Sequence, residues 1–313
     1  MKALIRHLED YLKLRRQLGF RLFTDGYVLR NFVRFARKQG ASIINTKLVV
    51  RWVTLRPNVA PAYRAQRLNM VRGFAKYLST IEARTEVPSQ KLFPLKVYRR
   101  ELFHYTDEQV QQLIEAARKL APSQKLKGPT FATLLGLLAV TGMRVGEALA
   151  LNRDDVDFAG ALLTIRRAKG NTTRLVPLHA STVRALQRYA AIRNELYPQS
   201  ASPAFFVRKG VRLSYDATKR WFLKTACRIG LRERGDGRGG PRSPRIHDLR
   251  HYFAIRTLLN WYRCDADVEA HLPELSTFLG HVTVRDTYWY LSAVPELLEL
   301  ATRRWEKAEK GGK

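Results

Sequence analysis

The chain has almost no cysteine: Cys227 and Cys264 are the whole complement, far apart and in no paired motif. A disulfide framework is therefore excluded, a thiolate metal site is a poor reading, and reduced thiols are expected. No run of about 18 apolar residues is present, and no basic amphipathic helix stands apart from a folded core, so a membrane is not the expected partner. The opening stretch, MKALIRHLEDYLKLRR, carries charges every few residues and lacks the apolar segment of a signal peptide. The cytoplasm is the expected location. There is no internal repeat, no low-complexity tract and no nucleotide- or metal-binding motif, so neither a cofactor nor a metal is expected.

The most informative scarcity is acid. Only 27 Asp and Glu face 56 Lys and Arg, which gives a net charge of +29 and a pI near 10.6. Residues 1 to 95 hold 19 basic and 5 acidic residues, a net +14, so both halves of the chain share the excess. A polyanion is the expected partner, and nucleic acid fits it best.

Apolar residues make up 45% of the 313, a normal globular fraction for a chain long enough for two domains. The first 86 residues read as a small basic helical bundle. Leu4, Leu8, Tyr11, Leu12 and Leu18 give one apolar stripe, TDGYVLRNFVRFARKQG starts at a Thr/Asp cap, and TKLVVRWVTLRP stops at Pro57. A fourth helix, Pro61 to Ser79, sets Leu68, Val71, Ala75 and Leu78 on one side. Arg64, Arg67, Arg72 and Lys76 lie elsewhere on it and are assigned to DNA contact, as are Arg99 and Arg100 in the following stretch. Residues 87–105, with Pro88 and Pro94, read as an extended linker.

A second domain is expected over 106–294, with a C-terminal helix and tail over 295–313. Thr106 has capping-box spacing to Gln109, and FATLLGLLAVTGM is apolar nearly all round, as a central helix should be. ALLTIRR and TRLVPL are β-branched segments either side of a turn at Gly170 and Asn171, a hairpin pattern. Helices then return, interrupted by the Gly- and Pro-rich basic loop from Gly235 to Arg245. Arg174 and Arg245 complete the expected DNA contacts. The fold class is mainly α with a small β-hairpin or sheet.

Candidate chemistry gathers in three short stretches: TGMRVGEAL with Arg144 and Glu147, HDLRH with His247 and Arg250, and LGH with His281. Lys169 in the hairpin and a tyrosine after His281 join them. Taken singly, each has a bland reading as a surface or core residue. Together they form the set needed to cut a phosphodiester without metal. Attack on phosphate builds charge on the non-bridging oxygens, which forked guanidiniums such as Arg144 and Arg250 match well. A free phenol, with a pKa of about 10, is only about one-thousandth ionised at neutral pH. A tyrosine nucleophile therefore needs a partner, and His247 or His281 can take or share its proton. Lys169 is the expected donor to the leaving 5′ oxygen.

These stretches resemble those of the tyrosine recombinase, or phage integrase, family over nearly the whole chain. The resemblance implies an N-terminal helical core-binding (SAM-like) domain and an α+β catalytic domain that clamp double-stranded DNA. It places the first arginine on Arg144, its acidic helper on Glu147, the hairpin lysine on Lys169 and the HxxR pair on His247 and Arg250. The next histidine falls on His281 and the nucleophile, nine residues later, on Tyr290. It further implies a 3′-phosphotyrosyl intermediate and a homotetramer, or an assembly with related recombinases, on paired sites, with C-terminal segments docking on neighbours. The ending TYWYLSAVPELLELA is more similar to recombinases of transposons and integrative elements, so integration, excision or transposition of a mobile element is expected. Readings that compete are an Xer-like resolvase, a type IB topoisomerase-like enzyme and a non-catalytic DNA-binding accessory protein.

Two local questions remain. HDLRH sets His247 and His251 at i and i+4, as in zinc proteases, but the adjacent residue is Asp248 rather than glutamate and no third ligand motif follows. His251 is expected to pack or cap. In TYWYL, Tyr288 and Tyr290 point about 200° apart on a helix, so one of them faces the phosphate. The spacing from His281 selects Tyr290 and leaves Tyr288 and Trp289 as packing. Leu297, Leu298, Ala301 and Trp305 read as the apolar side of the last helix.

Overall fold

In a computed structural model the chain is described throughout except at residues 1, 21, 94–101, 122, 167–172, 199–200, 234–242 and 312–313. It divides into two units, Met1–Arg99 and Arg100–Lys313.

The first unit packs four helices, α1 (Lys2–Gln17), α2 (Phe23–Lys38), α3 (Thr46–Thr54) and α4 (Pro61–Ser79), around one apolar core. Leu4, Leu8 and Leu12 enter it. Leu18 does not: α1 ends at Gln17, and Leu18 is 63% exposed in the turn that follows. The cap expected at Thr24 is also displaced, because α2 begins two residues earlier, at Phe23 after a left-handed Leu22, and Asp25 falls inside its first turn. There the carboxylate faces the positive end of the helix dipole.

Arg67 is a correction to the expected DNA contacts. It is 5% exposed, stacks 3.7 Å over the Trp52 ring, and donates to the carbonyls of Trp52 (3.1 Å) and Val53 (3.4 Å). Those carbonyls belong to the last turn of α3, which has no helical donors left for them. Arg67 therefore closes a helix end inside the core. Arg64 and Arg72 are half-buried and held by the carbonyls of Pro57 and Pro88, whereas Lys76 is exposed.

Both ends of the stretch expected to be a linker are drawn into the units. Pro88 is held by Arg72 and Phe93 packs on the first core, while Phe103 and the fully buried Tyr105 join the second. Arg99 and Arg100 lie outside the described residues.

The second unit begins with α5 (Asp107–Arg118), whose capping box joins Thr106 and Gln109 in both directions. It continues through α6 (Lys127–Thr141) and α7 (Val145–Ala150) to a three-stranded antiparallel sheet in the order β1 (Val156–Asp157), β2 (Leu162–Ile165), β3 (Arg174–Pro177). The β2–β3 register pairs Leu163 with Val176. Lys169, Gly170 and Asn171 lie outside the described residues, as does most of the expected loop from Gly235 to Arg245. Next come α8 (Ala180–Leu196), a short hairpin of β4 (Val207–Arg208) and β5 (Val211–Arg212), and α9 (Tyr215–Arg228).

The unit ends with α10 (Asp248–Arg263), α11 (Val268–Leu279), α12 (Arg285–Ala293) and α13 (Pro295–Gly311). Helix α6 is buried nearly all round in one core, and α10 to α13 build a second around Ile255, Leu258, Leu272 and Leu279. The stretch NWYRCDADVEAH forms the last turn of α10, a short turn through Asp265, and the first turn of α11, capped by Asp267. On α13 the apolar side divides. Leu297 is fully buried in the core, while Leu298 (49%) and Trp305 (63%) are exposed. Among the described residues, no helix is long and apolar enough to cross a membrane.

Candidate active site

Two left-handed glycines prepare the site. Gly142 ends α6 with φ 58°, its N–H bonding the carbonyl of Leu138, and Gly280 ends α11 with φ 71°. At α11 the N–H of Gly280 returns to Thr277 and that of His281 to Ser276, both at 3.0 Å, the paired bonds of a Schellman motif. The motif fixes where His281 leaves the helix. A Cβ on Gly142 would lie 2.5 Å from the Phe253 ring, and one on Gly280 would lie 2.8 Å from the Arg174 guanidinium. Neither position has room for a side chain.

The carbonyls at these helix ends hold both arginines. Arg250 is 2% exposed, and its Nη1 donates to Gly142 O (2.9 Å) and Leu279 O (2.8 Å). Its Nη2 is buried and has no partner among the described residues. Arg144 precedes α7 and donates through Nη2 to Gly280 O at 2.9 Å. Burial first, then the like charge of Arg144, lowers the Arg250 pKa to about 10, which leaves it charged at neutral pH.

Glu147 binds this framework together. Its Oε1 accepts from Arg144 Nη1 (2.8 Å) and Arg174 Nη1 (3.2 Å), and its Oε2 from the backbone N–H of Arg144 (2.9 Å) and Arg174 Nη2 (2.8 Å). All four acceptor positions of the carboxylate are thus used. Burial alone pushes this carboxyl up, but the Arg174 and Arg144 bonds win and hold it below the usual range. Arg174 is the second correction: instead of facing outward to DNA, it is bonded to Glu147 and, through Nε, to Phe278 O at 3.0 Å. Sequence reasoning paired Glu147 with Arg144 and missed Arg174, because a strand residue 27 positions away leaves no local signal. Arg245 is exposed and pairs with Asp248 at 3.2 Å.

Tyr290 is 2% exposed in the core of α10 to α13, and Tyr288 is 47% exposed on the opposite side of α12. Tyr288 therefore does not pack as expected. Trp289 does, 5.5 Å from the Tyr290 ring. The Tyr290 hydroxyl is bonded to His251 Nδ1 at 2.9 Å. The hydroxyl thus meets His251, which was expected only to pack or cap, rather than His247 or His281. His281 instead uses its Nδ1 on the buried Thr287 hydroxyl (2.7 Å), with its ring stacked 6.4 Å from that of Tyr290. His247, just before α10, stays open to solvent, with its ring 5.2 Å from that of His251.

Burial pushes the Tyr290 phenol up to about 12, against the opposing pull of Arg250 and Arg144. Burial and then the Arg250 charge lower His281 to about 4, and the same causes lower His247, less firmly because that residue is solvent-exposed; burial and then the nearby His247 lower His251 to about 3. At neutral pH these imidazoles are uncharged. The site therefore offers two fixed guanidiniums, neutral ring N–H donors and a protonated phenol. Among the described residues, no group of three or more His, Cys, Asp or Glu is placed to hold a metal ion.

Comparison with known proteins sets this geometry in context. The phage integrase family matches residues 104–296. A putative integrase/recombinase, y4rB, of Sinorhizobium fredii is 40% identical over 305 residues, covering 96% of each chain. The tyrosine recombinase XerD of Rhizobium meliloti is 32% identical, over 75% of this chain and 71% of its own. Among solved structures, the Tn1549 transposon integrase in complex with a circular intermediate DNA is similar at a TM-score of 0.62 and 15% identity, over 96% of this chain and 99% of its own.

Proposed function

This chain belongs to the phage integrase family and is a tyrosine-type site-specific recombinase; on that premise we propose that Tyr290 cuts and rejoins double-stranded DNA through a 3′-phosphotyrosyl link. The observation that carries this reading is the buried Nη2 of Arg250. It lacks a partner among the described residues, in a site where Arg144 is fixed by Gly280 and Glu147 and where Tyr290 packs against His251 and His281. A buried donor left unsatisfied costs roughly 1–3 kcal/mol, more when charged, and an incoming phosphate oxygen removes that cost.

In this reading Arg144 and Arg250 hold the non-bridging oxygens of the scissile phosphate. Neutral His281 and His247 donate ring N–H groups to the same oxygens. The Tyr290 oxygen attacks phosphorus, the bond to the 5′ oxygen breaks, and Lys169 supplies the proton that the leaving oxygen needs. Bond energy is kept in the phosphotyrosine. A 5′ hydroxyl of a partner duplex reverses the step, first making and then resolving a four-way junction. The net charge of +29, shared by both units, supports binding along the DNA backbone. Four copies on two paired sites provide the two partner duplexes. The names of the S. fredii relative and the transposon integrase support a role in integration, excision or transposition of a mobile element.

Repeats in the DNA flanking the gene supply candidate sites for a nicked suicide duplex. The wild-type chain is expected to accumulate a denaturant-resistant protein–DNA adduct on it, and Arg250→Ala to form the adduct roughly 10² to 10³ times more slowly. An adduct formed by Tyr290→Phe at the wild-type rate would overturn the reading.

A further inference from the structure

The proton on Tyr290 must leave before or as its oxygen attacks, and the residue is enclosed in a core, only 2% exposed. Bulk water is a poor acceptor for a group so enclosed. His281 is turned away, its Nδ1 used by Thr287. His247 lies beyond His251 and open to solvent. What touches the phenolic oxygen is Nδ1 of His251, at 2.9 Å, on the first turn of α10 and immediately after Arg250. Its ring is held by Trp289 on one side (5.9 Å) and His247 on another (5.2 Å).

From this geometry we propose that His251 is a catalytic residue, the base that accepts the Tyr290 proton in cleavage and returns it in rejoining. The inference rests on Tyr290 being the nucleophile. In the forward step the phenolic O–H breaks and its proton goes to His251 Nδ1, while the O–P bond forms. The P–O5′ bond breaks, and the 5′ oxygen takes a separate proton from the acid assigned to Lys169. The result is a phosphotyrosine, a 5′ hydroxyl and an imidazolium at His251. In rejoining, the 5′ hydroxyl returns its proton to the group assigned to Lys169 and attacks phosphorus, the O–P bond to Tyr290 breaks, and His251 gives its proton back to the departing phenolate.

The surroundings of His251 make this transfer dependent on DNA. Burial most of all, and then the charged groups around the ring, among them Arg245 and Arg250, disfavour a second proton there. Burial holds the phenol above its ordinary value and the imidazole below its own, so in the chain alone the proton stays on Tyr290. A phosphate held by Arg250 and Arg144 offsets the positive charges that oppose an imidazolium. The nucleophile is thereby armed by its own substrate.

The test is single-turnover cleavage of the suicide duplex by wild type, His251→Ala and His251→Asn, each with tyrosine or difluorotyrosine at position 290. Fluorination lowers the phenol pKa and so reduces the need for a base. The expected result is a slowing of adduct formation by about 10² to 10⁴ in both variants, the range of general acid–base catalysis, with DNA binding retained. Asparagine accepts the phenol hydrogen bond but cannot take the proton, so it does not rescue. Difluorotyrosine is expected to recover at least tenfold in the variants and to change wild type little. Wild-type cleavage by His251→Asn, or an equal effect of fluorination on wild type and variants, would overturn the proposal and leave His251 a packing residue. A Tyr290→Phe control separates the two readings: if it forms adduct, the nucleophile assignment fails; if it is inert while His251→Asn is fully active, only the present inference fails.

Discussion

Arg174 grips Glu147 with two parallel bonds, 2.8 and 3.2 Å long, and through it steadies Arg144. Arg174 and Glu147 are nearly buried, with side chains 12% and 8% exposed. Removing Glu147 leaves the buried Arg174 charge without a carboxylate, a change that typically costs about 3–5 kcal/mol, and removing Arg174 leaves Glu147 with Arg144 alone. Arg174→Ala and Glu147→Gln are therefore expected to lower the urea midpoint and to slow adduct formation, whereas Arg174→Lys restores charge but not the parallel pair. Equal stability and cleavage in all three would remove Arg174 from the site.

Stability should fall in mild acid. His251 and His281 are half-buried, and folding lowers their pKa from 6.5 to about 3 and about 4. Between those values and 6.5 the unfolded chain binds more protons than the folded one, so stability rises with pH over that window and is fully present above it. Glu147, held below 4.5, adds stability that is present above 4.5 and lost as pH falls through its folded value. His247 contributes less, since solvent screens it. Urea midpoints at pH 5 are expected to lie below those at pH 7.5, with a shallower slope for the His251→Asn, His281→Asn double variant. An unchanged slope would contradict the assignment.

The local parts of this architecture were legible because their causes are local. The Thr106 capping box, the α4 limits from Pro61 to Ser79 and the β2–β3 pair follow from neighbouring residues. The meeting of Arg144 and Glu147 was legible from their spacing of three, although it forms as a capping box at the start of α7, with Arg144 at the N-cap, rather than on one helix face. The site was not legible where two distant segments meet. His251 and Tyr290 are 39 residues apart, and Arg174 and Glu147 are 27. Arg67 failed for another reason: a basic residue on a helix reads as surface, yet its guanidinium stacks on Trp52 and closes the end of α3.

The exposed pair on α13 bears on assembly. Leu297 is buried in its own core, so deleting 295–313 would damage folding as well as association. Leu298→Ser with Trp305→Ser spares that core, because both side chains point outward. The double variant is expected to keep its melting temperature and single-site binding and to lose four-protomer complexes on paired sites. Intact complexes in sedimentation or native mass measurements would exclude these two residues from the contact.

DNA affinity should depend steeply on salt. If about six to ten phosphates are neutralised, affinity falls roughly 10³ to 10⁵ between 50 and 200 mM salt. Exposed Lys76→Ala is expected to make that slope shallower, and buried Arg67→Ala to lower stability instead. A flat salt response would contradict backbone binding.

The central claim is most directly tested by identifying the residue that carries DNA. Digesting the trapped adduct and sequencing its modified peptide by mass spectrometry distinguishes the two tyrosines of TYWYL. The account predicts a nucleotide joined through its 3′ phosphate to Tyr290, with Tyr288→Phe giving the same adduct. A nucleotide on Tyr288, or on any other side chain, would contradict it.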